Sequence, residues 1–315
     1  MPLLTTLFWF YKDWDTCVDR LRVMRRFNPS GKIYGLYGGP LSSARAAEDR
    51  LKQLLDDFWT FPEDKDAKWK WANGDLMIAR WFQDRGQSLP WHTLFVMQWD
   101  MLVGAPLDRL FHMLQPGQIL LSGLRQVEEV RSVWWWARGA EPETARDLRD
   151  FQELVANAYN YHGPLFACLF VVACLPRAFV ERYVGSGPPA VGFMEYKIPT
   201  LAKIFEVPLC DTHPFQPGGW NPRAGLAGLS SSEIFLNAIG CEPPCSSIVR
   251  EFSRPEGHRL FHPVRTAIKP WMLEPRHVWW VWRAMRGKES LLRFKAKLGK
   301  AYRRLLSGQT MSKIR

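Results

Sequence analysis

The chain has 315 residues, 47% of them hydrophobic and 23% charged, with a formal net charge of +11. That length suits one α/β domain with an extension, and the composition excludes a disordered, collagen-like or disulfide-stapled chain. Residues 281–315 hold eleven Lys and Arg against one acid, Glu289, which leaves the first 280 residues at a net +1. A body that bound nucleic acid over its surface would carry positive charge of its own, and this one does not.

Taken in order, Thr5 to Tyr11 (TTLFWFY) is apolar, aromatic and β-branched, which predicts a buried first strand. Thr16 to Phe27 places Val18, Leu21 and Val23 or Met24 at helical spacing, and Asn28-Pro29-Ser30-Gly31 closes that helix. Lys32 to Tyr37 predicts a second strand ended by Gly38-Gly39-Pro40, so the first forty residues read as a βαβ unit with parallel pairing. Ala44 to Trp59 predicts an amphipathic helix with Leu51, Leu54, Leu55 and Phe58 on one face. A further helix is expected over Asp75 to Phe82, with Asp75 as its N-cap. Leu94 to Met97 is a central buried strand that runs into Gln98-Trp99-Asp100.

Pro116 to Asn157 is charged and helix-like, and Leu165 to Leu175 is a buried strand or core helix. Phe193 to Phe205 is helical around Glu195 and bent or interrupted at Pro199. Pro208 to Gly228, rich in Gly and Pro, reads as a functional loop. In the tail, Trp271, Trp279, Trp280 and Trp282 precede Leu291, Phe294, Leu298, Tyr302 and Leu305, whose spacing predicts a basic amphipathic helix. The alternation of strands and helices predicts an α/β fold with a mostly parallel twisted sheet flanked by helices, with that helix as a C-terminal extension. Domains are expected at 1–269 and 270–315.

The six cysteines (Cys17, Cys168, Cys174, Cys210, Cys241 and Cys245) are scattered without a CxxC pair, which points to a reducing compartment. The first residues lack a basic region and a cleavage site, and the longest apolar run is eleven residues, against the ~20 of a membrane span. A cytoplasmic protein, at most peripheral on a membrane, is expected.

An Asp just beyond the carboxyl end of a central strand, such as Asp100, either caps the following turn or holds a divalent cation on a ligand's phosphates. The N-terminal βαβ ending in Tyr37-Gly38-Gly39, the helix start at Asn73-Gly74-Asp75 and the strand LFVMQWDMLV together resemble a GT-A-fold glycosyltransferase over roughly residues 5–265. In that family a strand runs into a DxD-type motif, and Gln98-Trp99-Asp100 carries its second acid only. The resemblance implies a metal-dependent glycosyltransferase that moves a sugar from a nucleoside-diphosphate sugar to a hydroxyl of a glycan, lipid-linked or other acceptor. It implies Mn2+ or Mg2+ on Asp100 with the late His262 as second ligand, and Glu195 as general base. Tyr11, Asp15, Gly38, Gly39, Asp75 and Trp99 would serve the donor, although Asp75 is equally a helix cap and the glycines plain turn residues. His213 and Trp220, in the long loop, would face the acceptor.

A competing pattern is Cys241-x3-Cys245-x12-His258-x3-His262, which has zinc-finger spacing. Pro255 and Gly257 stand where the finger's helix should form, which argues against it. With the basic tail it gives the rival reading, a non-catalytic nucleic-acid-binding protein. The tail over 284–315 itself suits an anionic membrane surface, a phosphate backbone or packing on its own domain.

Overall fold

The structure is a computed structural model and describes residues 4–138, 141–210, 234–236, 242–274, 276–288 and 290. The strands are β1 (Leu4–Phe10), β2 (Ile33–Tyr37), β3 (Asp57–Thr60), β4 (Thr93–Gln98), β5 (Leu102–Val103), β6 (Leu120–Leu121), β7 (Arg125–Gln126), β8 (Phe166–Ala167), β9 (Ala173–Pro176), β10 (Ile234–Leu236) and β11 (Leu260–His262). The helices are α1 (Trp14–Phe27), α2 (Ala44–Leu51), α3 (Ala67–Ala72), α4 (Gly74–Trp81), α5 (Leu107–Leu110), α6 (Val127–Val130), α7 (Pro142–Tyr159), α8 (Arg177–Gly185), α9 (Met194–Ile204) and α10 (Cys245–Phe252).

Six strands form the main sheet in the order β3-β2-β1-β4-β9-β6. Strands β3, β2, β1 and β4 are parallel neighbours; β9 runs antiparallel to β4, and β6 antiparallel to β9. The chain is therefore mixed α/β with a mostly parallel sheet, as its sequence pattern implies. β1 explains why both faces are covered. Its Leu7 and Trp9 belong to one apolar cluster and its Phe8 and Phe10 to the other, because successive side chains leave a strand on opposite faces. α1 packs Val18, Leu21 and Met24 into the Phe8 cluster, while α4, α8 and α9 pack into the Leu7 cluster.

Several elements differ from their sequence pattern. The helix expected over 44–59 ends at Leu51, tightens into a 3-10 turn, and gives way to β3. Leu51, Leu54, Leu55 and Phe58 do fall at helical spacing, but Phe58-Trp59-Thr60 favours a strand and pairs in register with Gly35, Leu36 and Tyr37. α4 starts one residue early, with Asn73 as its N-cap and Asp75 in the first turn. Gly74 is required there, because a Cβ would come within 2.4 Å of the Trp9 ring. The run from Leu165 to Leu175 is neither one strand nor a helix. It leaves extended pairing over 168–172, where Ser122 engages both Leu169 and Val172 through backbone and hydroxyl bonds.

By contacts the chain divides into one compact unit of residues 1–242 with 258–270 and another of 243–257 with 271–315. In the second unit a helix over 276–288 carries Trp279 and Trp280 exposed, at 49% and 67%. The tryptophans therefore lie within a helix and not only ahead of one. The expected helix beginning at Leu291 lies outside the described residues. Among the described residues no helix is long and apolar enough to cross a membrane.

The helices on the Trp9 face are tied together by a buried charge pair. Lys197 of α9 donates to Asp75 of α4 at 2.8 Å, and both side chains are wholly buried. Tyr183 of α8 donates to the same carboxylate oxygen, and Lys197 also donates to the Pro189 carbonyl at 3.0 Å. Removing one partner of a buried pair strands the other charge, which costs about 3–5 kcal/mol, whereas replacing both with apolar groups is often neutral. Lys197→Met should lose about that much stability in urea unfolding, and Asp75→Leu/Lys197→Met should recover most of it. A loss below about 1 kcal/mol for the single variant would show that this pair does not tie the helices.

Candidate active site

β1, β2 and β3 extend the sheet to one side, and β4 returns on the other side of β1. The chain thus reverses its winding between β1 and β4, and in open α/β sheets the crevice beyond the carboxyl ends at such a point is where ligands sit. Tyr11 follows β1 there, and Trp99-Asp100 follow β4. The Trp99 amide bonds the Trp9 carbonyl at 3.0 Å, and the Met101 amide closes a turn on the Gln98 carbonyl at 3.0 Å. Tyr11 meets the Trp99 ring edge-on at 6.0 Å, and the Lys12 ammonium lies 4.8 Å from that ring's centre. Burial, and the negative charge of Asp100 close by, raise the Tyr11 phenol above its ordinary value.

His262, 162 positions later, is brought beside Asp100 by backbone pairing. β11 runs antiparallel to β5, with Phe261 opposite Leu102 and Leu260 opposite Val103. The Val264 amide then bonds the Asp100 carbonyl at 2.6 Å, and the buried Arg20 of α1 donates to the Val264 and Thr266 carbonyls at 2.8 Å each. His262 Nε2 comes to 3.3 Å from Asp100 Oδ1, and Arg265 Nε to 4.0 Å from Oδ2. Burial disfavours the Asp100 charge, but His262 and Arg265 outweigh it and hold the carboxyl below its usual range. Apart from the His262 contact, Oδ1 is buried without a hydrogen-bond partner. A carboxylate oxygen and an imidazole nitrogen suit a divalent cation. Adjacent ligands of an octahedral ion at ~2.1 Å stand ~3 Å apart, close to the separation seen here. Among the described residues no set of three or more His, Cys, Asp or Glu is grouped for a metal, so further ligands would be water and phosphate oxygens.

Glu195 is held by a device that depends on proline. α9 runs unbroken through Pro199, where the sequence predicts a bend or interruption. In a regular helix the Glu195 carbonyl would accept from the amide at position 199, and proline has no amide hydrogen. The Cys168 amide takes that place at 2.8 Å, and the Phe170 amide donates to Glu195 Oε1, also at 2.8 Å. One turn on, Thr200 Oγ1 both accepts from and donates to Phe166. Gln98 Nε2 reaches the Phe170 carbonyl at 2.6 Å, so the end of β4 grips the same segment. Burial pushes the Glu195 carboxyl up to about 8, against the pull of the Phe170 amide.

A cavity of about 970 Å³ opens over this floor, and Gln98, Phe170, Glu195 and His262 line it. Trp71, the run Trp134-Trp135-Trp136, Phe193 and the start of α7 also line it. Gly192 in that lining has φ 96° and leaves no room for a Cβ, which would press on Phe151. Its amide donates to Asp147 at 2.9 Å.

No family model and no curated protein matches the chain. Among solved structures it is similar to the WbbM bifunctional glycosyltransferase in its apo form, at 8% identity and a TM-score of 0.42, over 86% of this chain and 47% of that one. It is also similar to apo mouse xyloside xylosyltransferase 1, at 14% identity and 0.31, over 66% and 78% of the two chains. A third likeness is to core-mannan synthase A of Aspergillus fumigatus in its Mn/GDP form, at 7% identity and 0.36, over 69% and 72%. The chain spans less than half the length of the first. At these identities and scores the likeness carries no functional argument.

Tyr11, Trp99, Asp100 and His262 are thus gathered at one end of the crevice, and Glu195 lines the cavity that His262 also lines. Four other expected donor residues are not. Asp15 is exposed and paired with Arg50. Gly38 and Gly39 are buried, and Met77 and Tyr37 fill the space where their Cβ atoms would lie. Asp75 neither caps a helix nor faces the crevice, because its carboxylate is spent on Lys197 and Tyr183. His213, Trp220 and Cys241 lie outside the described residues. His258 and His262 flank and end a strand, where a zinc finger needs both on a helix, so the finger reading loses its histidine pair. Gln98, Phe170, Trp71 and Trp134 to Trp136 escape the sequence reading; only the WWW run carried a signal, in a stretch that reads as merely charged and helical.

A carboxyl with a folded value near 8, against 4.5 for an ordinary Glu, binds its proton more tightly in the folded chain. Stability is then unaffected by this group below about pH 4.5 and falls as pH rises toward 8, because the unfolded chain releases the proton first. Glu195→Gln does not titrate. The melting temperature of this variant relative to wild type should therefore rise between pH 5 and pH 8.5. A difference that stays constant over that range would place the Glu195 carboxyl in ordinary solvent.

Proposed function

We propose that the protein is a metal-dependent glycosyltransferase that moves a sugar from a nucleoside-diphosphate sugar to an acceptor hydroxyl. The meeting of Asp100 with His262, which lines a cavity that Glu195 also lines, carries this reading. Asp100 and His262 would hold Mn2+ or Mg2+, which when bound neutralises charge developing on the departing nucleoside diphosphate. Tyr11 and Trp99 present an aromatic corner beside that pair, suited to stacking a nucleotide base. Arg265 and Lys12 are the cations next to it, available to phosphate oxygens.

Glu195 takes the proton of the acceptor hydroxyl as the oxygen attacks the anomeric carbon. Its anchoring through Phe170 and Cys168 fixes the carboxylate before substrate arrives, which supports that role. A base near 8 carries its proton at neutral pH, so kcat/KM should rise with pH through about 8 in the free enzyme.

The first test is melting temperature with UDP and GDP, each with and without Mn2+. A ligand bound by the native state alone raises it by mass action. A shift that requires nucleotide and metal together is expected, and Asp100→Asn should abolish it with little change in the melting temperature of the unliganded protein. A shift with nucleotide that survives in Asp100→Asn would remove Asp100 from the metal site.

The helix over 276–288 supports peripheral membrane attachment as part of the same reading. Trp279 and Trp280 are exposed beside Arg276, Arg283 and Arg286, a pairing of aromatic and basic groups that suits the interface of an anionic bilayer. Trp279→Ala/Trp280→Ala should lower co-sedimentation with vesicles containing phosphatidylserine by tenfold or more. Equal sedimentation of variant and wild type would assign those tryptophans elsewhere.

A further inference from the structure

We propose that the part of the cavity lining formed by Trp71, Trp134 to Trp136, Phe193 and α7 is an acceptor site for an uncharged saccharide, and that it rejects phosphorylated and carboxylated glycans. The word acceptor rests on the transferase reading; the binding of an uncharged saccharide does not.

The wall has the two chemistries that a sugar presents. One is a rigid aromatic platform. Trp136 and Phe193 stack with centroids 4.1 Å apart and planes 20° apart, and Trp71 packs on both at 5.4 and 5.3 Å. Trp71 and Trp135 remain 36% and 45% exposed, although large aromatics are normally covered. The C–H face of a pyranose packs on such rings, and rings already held in place lose little freedom on binding.

The other chemistry is a carboxylate row. Glu143, Asp147 and Asp150 recur at i, i+4 and i+7 along α7 and so share the helix face that lines the cavity. Ionised carboxylates only accept hydrogen bonds, and sugar hydroxyls donate them. Asp66 and Glu141 add further acids, against Lys68, Arg146 and the imidazole of His262 among the lining groups, while Glu195 holds its proton at neutral pH. The excess of like charge repels a phosphate or carboxylate, and in a partly enclosed site that repulsion is weakly screened.

A cationic ligand would meet the same acids, but the wall is not free to cage one. Asp147 is already bonded by the Gly192 amide and the Tyr196 hydroxyl, and Lys68 stands 3.8 Å from Glu143. The volume, about 970 Å³, lies at the upper end of the ~300–1,000 Å³ of small-molecule sites, which suits a run of several sugar residues.

The full-length protein is tested on a glycan array carrying neutral, aminated, sialylated and phosphorylated oligosaccharides, and then by titration with the best binder. Neutral glycans alone should bind, and Trp135→Ala should weaken them tenfold or more. Glu141→Gln/Asp150→Asn should admit phosphorylated glycans that the native protein excludes. Binding of sialylated or phosphorylated glycans by the native protein, of aminated ones in preference to neutral ones, or no binding at all, would overturn the proposal. So would Trp135→Ala that binds as tightly as the native protein. The UDP or GDP shift with Mn2+ is read on the same samples. Glycan binding without that shift would sink the transferase reading and leave the saccharide site; the shift with anionic glycans bound would do the reverse.

Discussion

The site depends on one stretch of backbone pairing. β11 and the residues after it are laid antiparallel along β5, and the bond from the Val264 amide to the Asp100 carbonyl sets the register. Side chains alternate along a strand, so a slip of one residue would turn His262 to the other face and leave Asp100 facing a backbone. Arg20 guards against such a slip. It reaches from α1 to two carbonyls of the same segment, while Lys269 pairs with the buried Asp19 on the neighbouring position of α1 at 3.0 Å. Glu242 adds a third clamp, accepting from the Arg265 and Thr266 amides. Much of the polar material buried in this region is spent on placing one histidine.

Glu195 is placed by the opposite means, a bond left out. Proline inside a helix is ordinarily destabilising because a carbonyl goes unpaired. Here that carbonyl belongs to Glu195, and the unpaired group becomes the anchor for Cys168. The segment over 168–172 leaves the sheet because α9, Ser122 and the end of β4 take up its amides and carbonyls. A strand interrupted for that reason delivers Phe170 and Glu195 to the cavity floor together.

These two devices mark where the sequence was legible and where it was not. The parallel sheet could be read because β1, β2 and β4 are buried on both faces and therefore nearly continuous in apolar residues. The place of Asp100 just beyond β4 could be read because it follows such a strand. β3 was hidden, since Leu51, Leu54, Leu55 and Phe58 satisfy a helical period up to the point where pairing with β2 decides otherwise. Asp75 misled, since nothing local tells a carboxylate bound for solvent from one that will meet Lys197, 122 positions away. The role of Pro199 was illegible for a similar reason: its rule predicts a break, and the rescue comes from an amide in another element.

Charge gives the last constraint on how the proposed chemistry would work. The first 280 residues are almost neutral, and Lys12, over the Trp99 ring, and Arg265 stand near Asp100. The cavity beyond is lined by more acids than bases. A diphosphate near Asp100 would meet Lys12 and Arg265, with Asp100 Oδ1 and His262 side by side to hold a cation. An ion held there would add to the positive charge of those side chains. The acids on α7 would then act on the acceptor without competing against a surplus of lysine and arginine.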